Sequence, residues 1–219
     1  MAIIWLRKSH PWLIASTLSL SAPCWALDLE GIRLANTTQV SGQPLVLNGA
    51  GISKRWFFNI YAMGLYLPDR RDTSSGIYTM DGPRRIQITL MRNVSSSEFD
   101  EAIASRLTRF AEKTGRTQIS TSMGLLIKAI TRQPNGLKKG DVLTLDWLPG
   151  TGTRIELNGR LLLEPLSGSE FYTALLRIWI GEDPADPDLK PKLLGKGRAG
   201  PNEDSTGRKV LVAQNQNDW

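Results

Sequence analysis

A chain of 219 residues, 41% hydrophobic and 22% charged, has enough apolar material for one domain with a sizeable core. Its formal charge of +6 is spread through short pairs such as Arg70-Arg71, Arg84-Arg85 and Lys138-Lys139, read as solvated strand or turn flanks, which argues against the concentrated basic face of a nucleic-acid binder. The single His and single Cys, His10 and Cys24, both precede Leu27.

Met1 to Ala26 has the three zones of a secretory signal: a basic start at Arg7-Lys8, an apolar run from Trp12 to Leu20 too short to span a bilayer, and the small-residue exit Cys24-Trp25-Ala26. Cleavage after Ala26 and a periplasmic location are expected, with no integral membrane segment afterwards. A lipoprotein anchored at Cys24 is the rival reading, but Pro23 and Ser21 fit that pattern poorly, and an uncleaved anchor would need a longer apolar run. Removal of the segment takes Arg7 and Lys8 and no acid, so the charge falls from +6 to about +4. It also takes the only imidazole and the only thiol. A disulfide, a thiol nucleophile, a Ser-His pair and a zinc site with imidazole or thiolate ligands are then excluded; an all-carboxylate metal site stays open, but no calcium-loop run of Asp points to one, so no metal site is expected and no cofactor is implied.

Leu29 to Leu34 and Pro44 to Leu47 read as an opening hairpin around Gly42. Trp56 to Leu67 is apolar on both alternating faces and reads as a central strand ended by Pro68, with Asn59 and Tyr61 on one face beside Phe57 and Met63. Arg84 to Arg92 alternates around Ile86, Ile88 and Leu90, as a half-buried strand does. Phe99, Ala102, Ile103, Leu107, Phe110 and Ala111 then form a helical stripe. Ser95 and Glu98 have capping-box spacing ahead of it, Val94 can staple onto Phe99, and Gly115 suits the far end. A second helix is expected over Ser120 to Arg132, before the turn Pro134-Asn135-Gly136.

Val142 to Leu148, Arg154 to Leu157 and Arg160 to Leu163 read as strands, the last two joined by a type I′ turn at Asn158-Gly159. Ser167 and Glu170 repeat the capping-box spacing before a third helix through Trp179, closed by Gly181 and Pro184, and a short helix is expected over Asp188 to Leu194. Residues 196 to 219 are polar and Gly-rich and read as a flexible tail, leaving 27 to 195 as the domain. This order of elements favours a mainly antiparallel sheet with helices segregated to one face.

Three blocks together carry a family resemblance: Asn48 to Pro68, Lys138 to Gly159, and Phe171 to Lys190. In that order they resemble chalcone isomerase-like proteins of an exported bacterial branch. The resemblance implies an α+β open-faced β-sandwich in which a large antiparallel sheet carries helices on one face, with a ligand cleft between them. It also implies a choice of roles, since plant members isomerise chalcones and plastid relatives bind fatty acids.

Plant enzymes of the family use an Arg before the central strand, a Thr in it, and Tyr, Lys and Asn on the first helix. By this resemblance Ser53 stands at the Arg position, Tyr61 at the Thr, Phe99 at the Tyr, Ala102 at the Lys and Arg106 at the Asn, while Ile178 replaces a hydroxyl residue of the last helix. Phe cannot relay a proton and Ala cannot stabilise an enolate, so the electrostatic part of the isomerase mechanism is lost, while Tyr61 keeps a hydroxyl, a larger one, at the Thr position. Lys54 or Arg55 could supply the displaced cation, since successive strand residues face opposite ways; equally, both could be solvated. Asn59 and Tyr61 could anchor a ligand in an apolar pocket or be satisfied by backbone groups.

The candidate ligand-binding set is therefore Lys54, Arg55, Asn59, Tyr61, Phe99 and Arg106. The leading expectation is a non-catalytic binding protein for a fatty acid or similar apolar or amphiphilic small molecule. An isomerase with an altered site and an envelope protein-interaction module, its protein partner unknown, are the alternatives.

Overall fold

The computed structural model describes residues 26–99, 101, 117–133 and 136–196. The signal segment before Ala26, most of the first helical stripe with Ala102, Arg106 and Gly115, the Pro134-Asn135 turn, and the tail beyond Lys196 lie outside the described residues.

Strands β1 (Ala26–Leu29) and β2 (Ile32–Ala35) form a separate hairpin, and β3 (Thr37–Val40), β4 (Gln43–Arg55), β5 (Phe58–Leu67), β6 (Arg84–Leu90), β7 (Val142–Leu148), β8 (Gly152–Leu157) and β9 (Arg160–Leu166) make a seven-stranded sheet in chain order, every neighbouring pair antiparallel. Helices α1 (Ser74–Tyr78), α2 (Thr117–Thr131), α3 (Ser169–Ile180) and α4 (Leu189–Leu193) complete the described elements, apart from a helical turn at residues 96–99. The sheet and its helices are the α+β open-faced architecture expected from the sequence.

Alternation decides which side chains meet the helices. Met63, Leu65 and Leu67 of β5, Ile86, Ile88 and Leu90 of β6, and Leu143 and Leu145 of β7 share one buried core with Phe171, Leu175, Ile178 and Trp179 of α3 and Leu189 and Leu193 of α4. A second, smaller core on the other face joins Leu34 of the first hairpin to Val40, Leu45, Leu47, Tyr66 and Leu148. The β1–β2 hairpin thus covers part of the face that the helices leave open.

Several sequence expectations need correction. The opening hairpin is two hairpins, because Glu30-Gly31 and Ser41-Gly42 both turn with positive φ. The strand expected from Trp56 begins at Phe58; Trp56 and Phe57 are instead the tip of a β4–β5 hairpin, and β4 runs unbroken to Arg55. Ser167 caps nothing: α3 starts from Gly168 at φ 94°, with no side-chain cap bond. Arg84 and Arg85 are not solvated flanks. Arg84 is buried between the rings of Trp147 and Tyr172 and donates to the Ile77 carbonyl at 2.8 Å, so it ties α1, absent from the sequence reading, to the sheet. Arg85 grips buried Asp146 with two hydrogen bonds of 2.7 Å, and Arg154 adds a third at 3.0 Å. These charges face each other across β6, β7 and β8 and serve structure.

Other expectations hold. Ser95 Oγ accepts from the Glu98 amide at 3.2 Å and the Glu98 carboxylate accepts from the Ser95 amide at 2.9 Å, a complete capping box. Asn158 and Gly159 both take positive φ, as a type I′ turn requires. Pro165 lies in β9, the edge strand, where a missing amide leaves no ladder position empty.

The register of β4 turns on one extra residue. Leu47 pairs with Tyr66 and Gly49 with Leu65, so Asn48 is a β-bulge. Its buried side-chain amide donates to the Arg71 carbonyl at 2.9 Å and the Leu193 carbonyl at 2.8 Å, and its oxygen accepts from the Arg71 amide at 2.7 Å. Past the bulge the strand's parity is reversed, so Gly49 and Gly51 rather than their neighbours meet α4. A Cβ on Gly49 would stand 2.1 Å from the Lys192 carbonyl oxygen.

Two variants test this junction by urea unfolding. Gly49→Ala should lose about 3 kcal/mol or more, because backbone rather than a flexible side chain obstructs the methyl. Asn48→Ala should lose about 2 to 4 kcal/mol, since it strands buried amide and carbonyl groups. Losses under ~1 kcal/mol in both would remove the bulge from its controlling place.

Candidate functional site

A cavity of about 520 Å³ opens between the helix-bearing face of the sheet and the C-terminal end of α3, a size usual for small-molecule sites. Its floor comes from the sheet: Tyr61 of β5, Ile88 and Leu90 of β6 and Leu143 of β7, whose pairings Tyr61↔Leu90 and Ile88↔Leu143 set them side by side. Val94 and Phe99, on either side of the capping box, and Leu137 wall one flank; Ile178, Trp179 and Ala185 wall the other. Val94 and Leu137 are held together by reciprocal backbone hydrogen bonds of 2.8 and 2.9 Å, which fix the chain approaching the capped turn.

The charged groups gather at the rim: Lys54, Arg55, Arg92, Glu98 and Glu101. Arg92 donates to the Glu98 carboxylate at 2.9 Å. The Ser95 amide and then the Arg92 guanidinium hold the Glu98 carboxyl down to about 2, so it is ionised under all ordinary conditions and the pair is neutral as a unit. Lys54 is likewise committed, its ammonium 3.4 Å from the Glu30 carboxylate. Arg55 has no hydrogen-bond or ion-pair partner among the described residues.

Strand geometry explains this division. Ser53 pairs with Tyr61 but Lys54 with Asn59, so Ile60 is an extra residue in β5, a second bulge. Ser53 lies on the cavity side with Tyr61 and Arg55 returns to that side, while Lys54 between them stays at the cavity's edge with its ammonium drawn to Glu30. The bulge equally reverses Asn59, which donates its amide to the Glu30 carboxylate and does not line the cavity. The expected grouping of Phe57, Asn59, Tyr61 and Met63 on one face is therefore corrected: Phe57 is at the hairpin tip, and Asn59 faces away from Tyr61.

Of the residues singled out from the sequence, Lys54, Arg55, Tyr61 and Phe99 border the cavity, Asn59 does not, and Arg106 lies outside the described residues. The sequence reading missed the polar partner of Tyr61: the Trp179 indole N–H donates to the Tyr61 hydroxyl at 2.8 Å. Trp179 looked like one more apolar residue in a helical stripe. Its heteroatom was the available signal, since a buried indole seeks an acceptor. The missed wall residues Leu137 and Ala185 lie in connections, where periodicity gives no face. Among the described residues no three His, Cys, Asp or Glu side chains are grouped as a metal site would need.

The sequence pattern of a family described as chalcone isomerase-like matches residues 26–195. No curated protein matches the chain. Among solved structures, the chain is similar to a fatty-acid binding protein of Arabidopsis thaliana, with 15% identity, 78% of this chain and 96% of that one covered, and a TM-score of 0.59. At that identity the likeness concerns the fold, an independent agreement with the sheet and helices described above. Because the family pattern runs from the first strand to the end of the last helix, the chain belongs to the chalcone isomerase-like family.

Proposed function

We propose that the protein binds a fatty acid or a similar amphiphile, its hydrocarbon chain in the cavity and its acid group at Arg55. The observation that carries this reading is a cavity of about 520 Å³ with an apolar floor and walls, at whose rim Lys54 and Arg92 are paired with Glu30 and Glu98 while the cation of Arg55 has no partner among the described residues. A hydrocarbon chain can displace water from Ile88, Leu90, Phe99, Leu143 and Ile178 at little polar cost, and a carboxylate can meet a guanidinium in a bidentate pair. Family membership and the fold shared with a fatty-acid binding protein support the same reading. Phe99 and Ile178 present no proton donor to the cavity, which favours holding a guest over isomerising one.

The functional setting we propose is the periplasm of a bacterium, as a member of an exported branch of the family. The chain recovered from an envelope fraction should begin at Leu27 when its N-terminus is sequenced. A start at Met1 would overturn cleavage, and a lipid-modified start at Cys24 would replace it with an anchor.

Binding is tested on delipidated protein by calorimetry. Saturated acids should bind one to one, and each added methylene should strengthen binding about fourfold until the cavity is filled, from about 0.8 kcal/mol per buried methylene. Failure to take up any acid between ten and eighteen carbons, with nothing extracted from freshly purified protein, would refute the reading. Arg55→Ala should weaken acids about three- to tenfold and leave the methyl esters unchanged, while Lys54→Ala should change either little, because Glu30 already neutralises it. Turnover of chalcone that vanished in Tyr61→Phe would establish the isomerase alternative instead, since Tyr61 brings a hydroxyl to the cavity.

A further inference from the structure

The β4–β5 hairpin ends in three consecutive aromatic residues that pack against almost nothing: Trp56, Phe57 and Phe58 are 85%, 95% and 70% exposed. Large apolar side chains exposed in a contiguous run mark an interaction site, because burying them within the fold would otherwise stabilise it. The hairpin also stands clear of the sheet. β6 pairs with β5 only from Tyr61 to Tyr66, so, among the described residues, 54–59 form ladder bonds only with one another; Lys54 and Asn59 at the hairpin's base are tied to Asp186 and Glu30, and the tip from Arg55 to Phe58 projects beyond them.

The turn itself is unfavourable for the residues it holds. Arg55 pairs with Phe58, leaving Trp56 and Phe57 as the two central residues, and Trp56 takes φ 60° while Phe57 does not take positive φ. That is the type II′ pattern, whose first central position is normally glycine. A bulky aromatic there is a backbone outlier, of the kind that points to a use outside the fold. Beside the aromatics stands Arg55, the rim cation with no partner among the described residues.

We propose that this hairpin tip docks the protein on an anionic lipid bilayer, with Trp56, Phe57 and Phe58 inserted at headgroup depth and Arg55 against lipid phosphate. Aromatic rings with a neighbouring basic residue have the chemistry of the membrane interface, where amphipathic rings settle at the headgroup level and cations meet the negative surface. At about 3.3 Å per strand residue, the unpaired end of the hairpin reaches roughly 10 Å, the depth of interfacial insertion. Lys54, Arg55 and Ile60 border the cavity, so docking by this tip sets the cavity's rim at the lipid surface. The inference does not rest on what the cavity holds, because insertion is read on the tip itself.

The test uses the full chain carrying Cys24→Ser and Phe57→Cys, labelled at position 57 with an NBD fluorophore, so that the reading is local and any membrane contact of residues 1–25 does not enter. A matching label at Arg160→Cys, on the β8–β9 turn, is the control. With phosphatidylcholine vesicles containing phosphatidylglycerol, emission from position 57 should shift to the blue and be quenched by nitroxide lipids, while position 160 should not change. Arg55→Ser should lower the partition coefficient about fivefold and Lys54→Ser by less, since Glu30 already offsets that charge. Trp56→Gly combined with Phe58→Ser should lower it about tenfold or more with the melting temperature kept, because neither side chain supports the core. A label that stays in water on anionic vesicles overturns the proposal, as does equal partition onto pure phosphatidylcholine. A blue shift that grows with protein concentration in the absence of vesicles also overturns it, and would assign the tip to a second copy of the chain. Fatty-acid uptake by the same labelled protein is measured separately, so failure of either reading is visible by itself.

Discussion

The site exists because one strand changes face partway along. Up to Leu47, the inward positions of β4 serve the small core under the first hairpin. The extra residue at Asn48 then turns Gly49, Gly51 and Ser53 towards the helices, where an uninterrupted strand would have presented Asn48, Ala50 and Ile52. The bulge is stable because its side chain replaces the ladder bonds it interrupts, taking both backbone groups of Arg71 and the Leu193 carbonyl. One residue thereby joins three separate parts of the chain, and the approach of α4 onto glycine closes that end of the helix-bearing face. Everything further along β4, including the position of Arg55, inherits this parity.

A second bulge at Ile60 gives the cavity its electrostatic character. Had β5 alternated without interruption, Asn59 would point inward with Tyr61 and place an amide among Ile88, Leu90 and Leu143. Reversed by the bulge, it leaves the apolar space and bonds Glu30, the carboxylate that also holds the Lys54 ammonium at the rim. The polar groups left inside are few and already engaged with each other, as in the Trp179–Tyr61 bond. A charged guest of the kind proposed would meet Arg55, unpartnered among the described residues, at the rim and little competing polarity deeper in, an arrangement suited to holding an amphiphile end-on.

The sheet and most of its helices were legible because their signals are local. Alternation at Ile86, Ile88 and Leu90 put those residues in the core, Asn158-Gly159 made its turn, and Ser95 with Glu98 made the box the spacing predicts. What escaped were features set by partners distant in sequence. Neither bulge has a composition signature, and Asn48 reads as an ordinary turn former until Leu193 is brought beside it. The run from Trp56 to Tyr61 looked like buried strand because hydrophobicity alone cannot distinguish a core position from an exposed tip. Arg84 and Arg85 looked like surface charge for the opposite reason: the rings and the carboxylate that stabilise them, Trp147, Tyr172 and Asp146, come from β7 and α3.

The cavity and the hairpin tip share β4 and β5, yet they place opposite demands on the sequence. A central strand covered on both sides and a projecting hairpin exposed on both sides are each rich in apolar residues, and only the neighbours differ. The bulge at Ile60 marks the border. On its far side β5 has β6 to pair with and helices to cover it; on its near side the two strands ladder only with each other among the described residues, held to the rest by Glu30 and Asp186. Moving the aromatic cluster two or three residues inward would bury it and fill the cavity, and trading it for a glycine turn would relieve the backbone at Trp56. The chain does neither, and Arg55 stands where the two regions meet, one residue from the strained turn and at the rim of the apolar space.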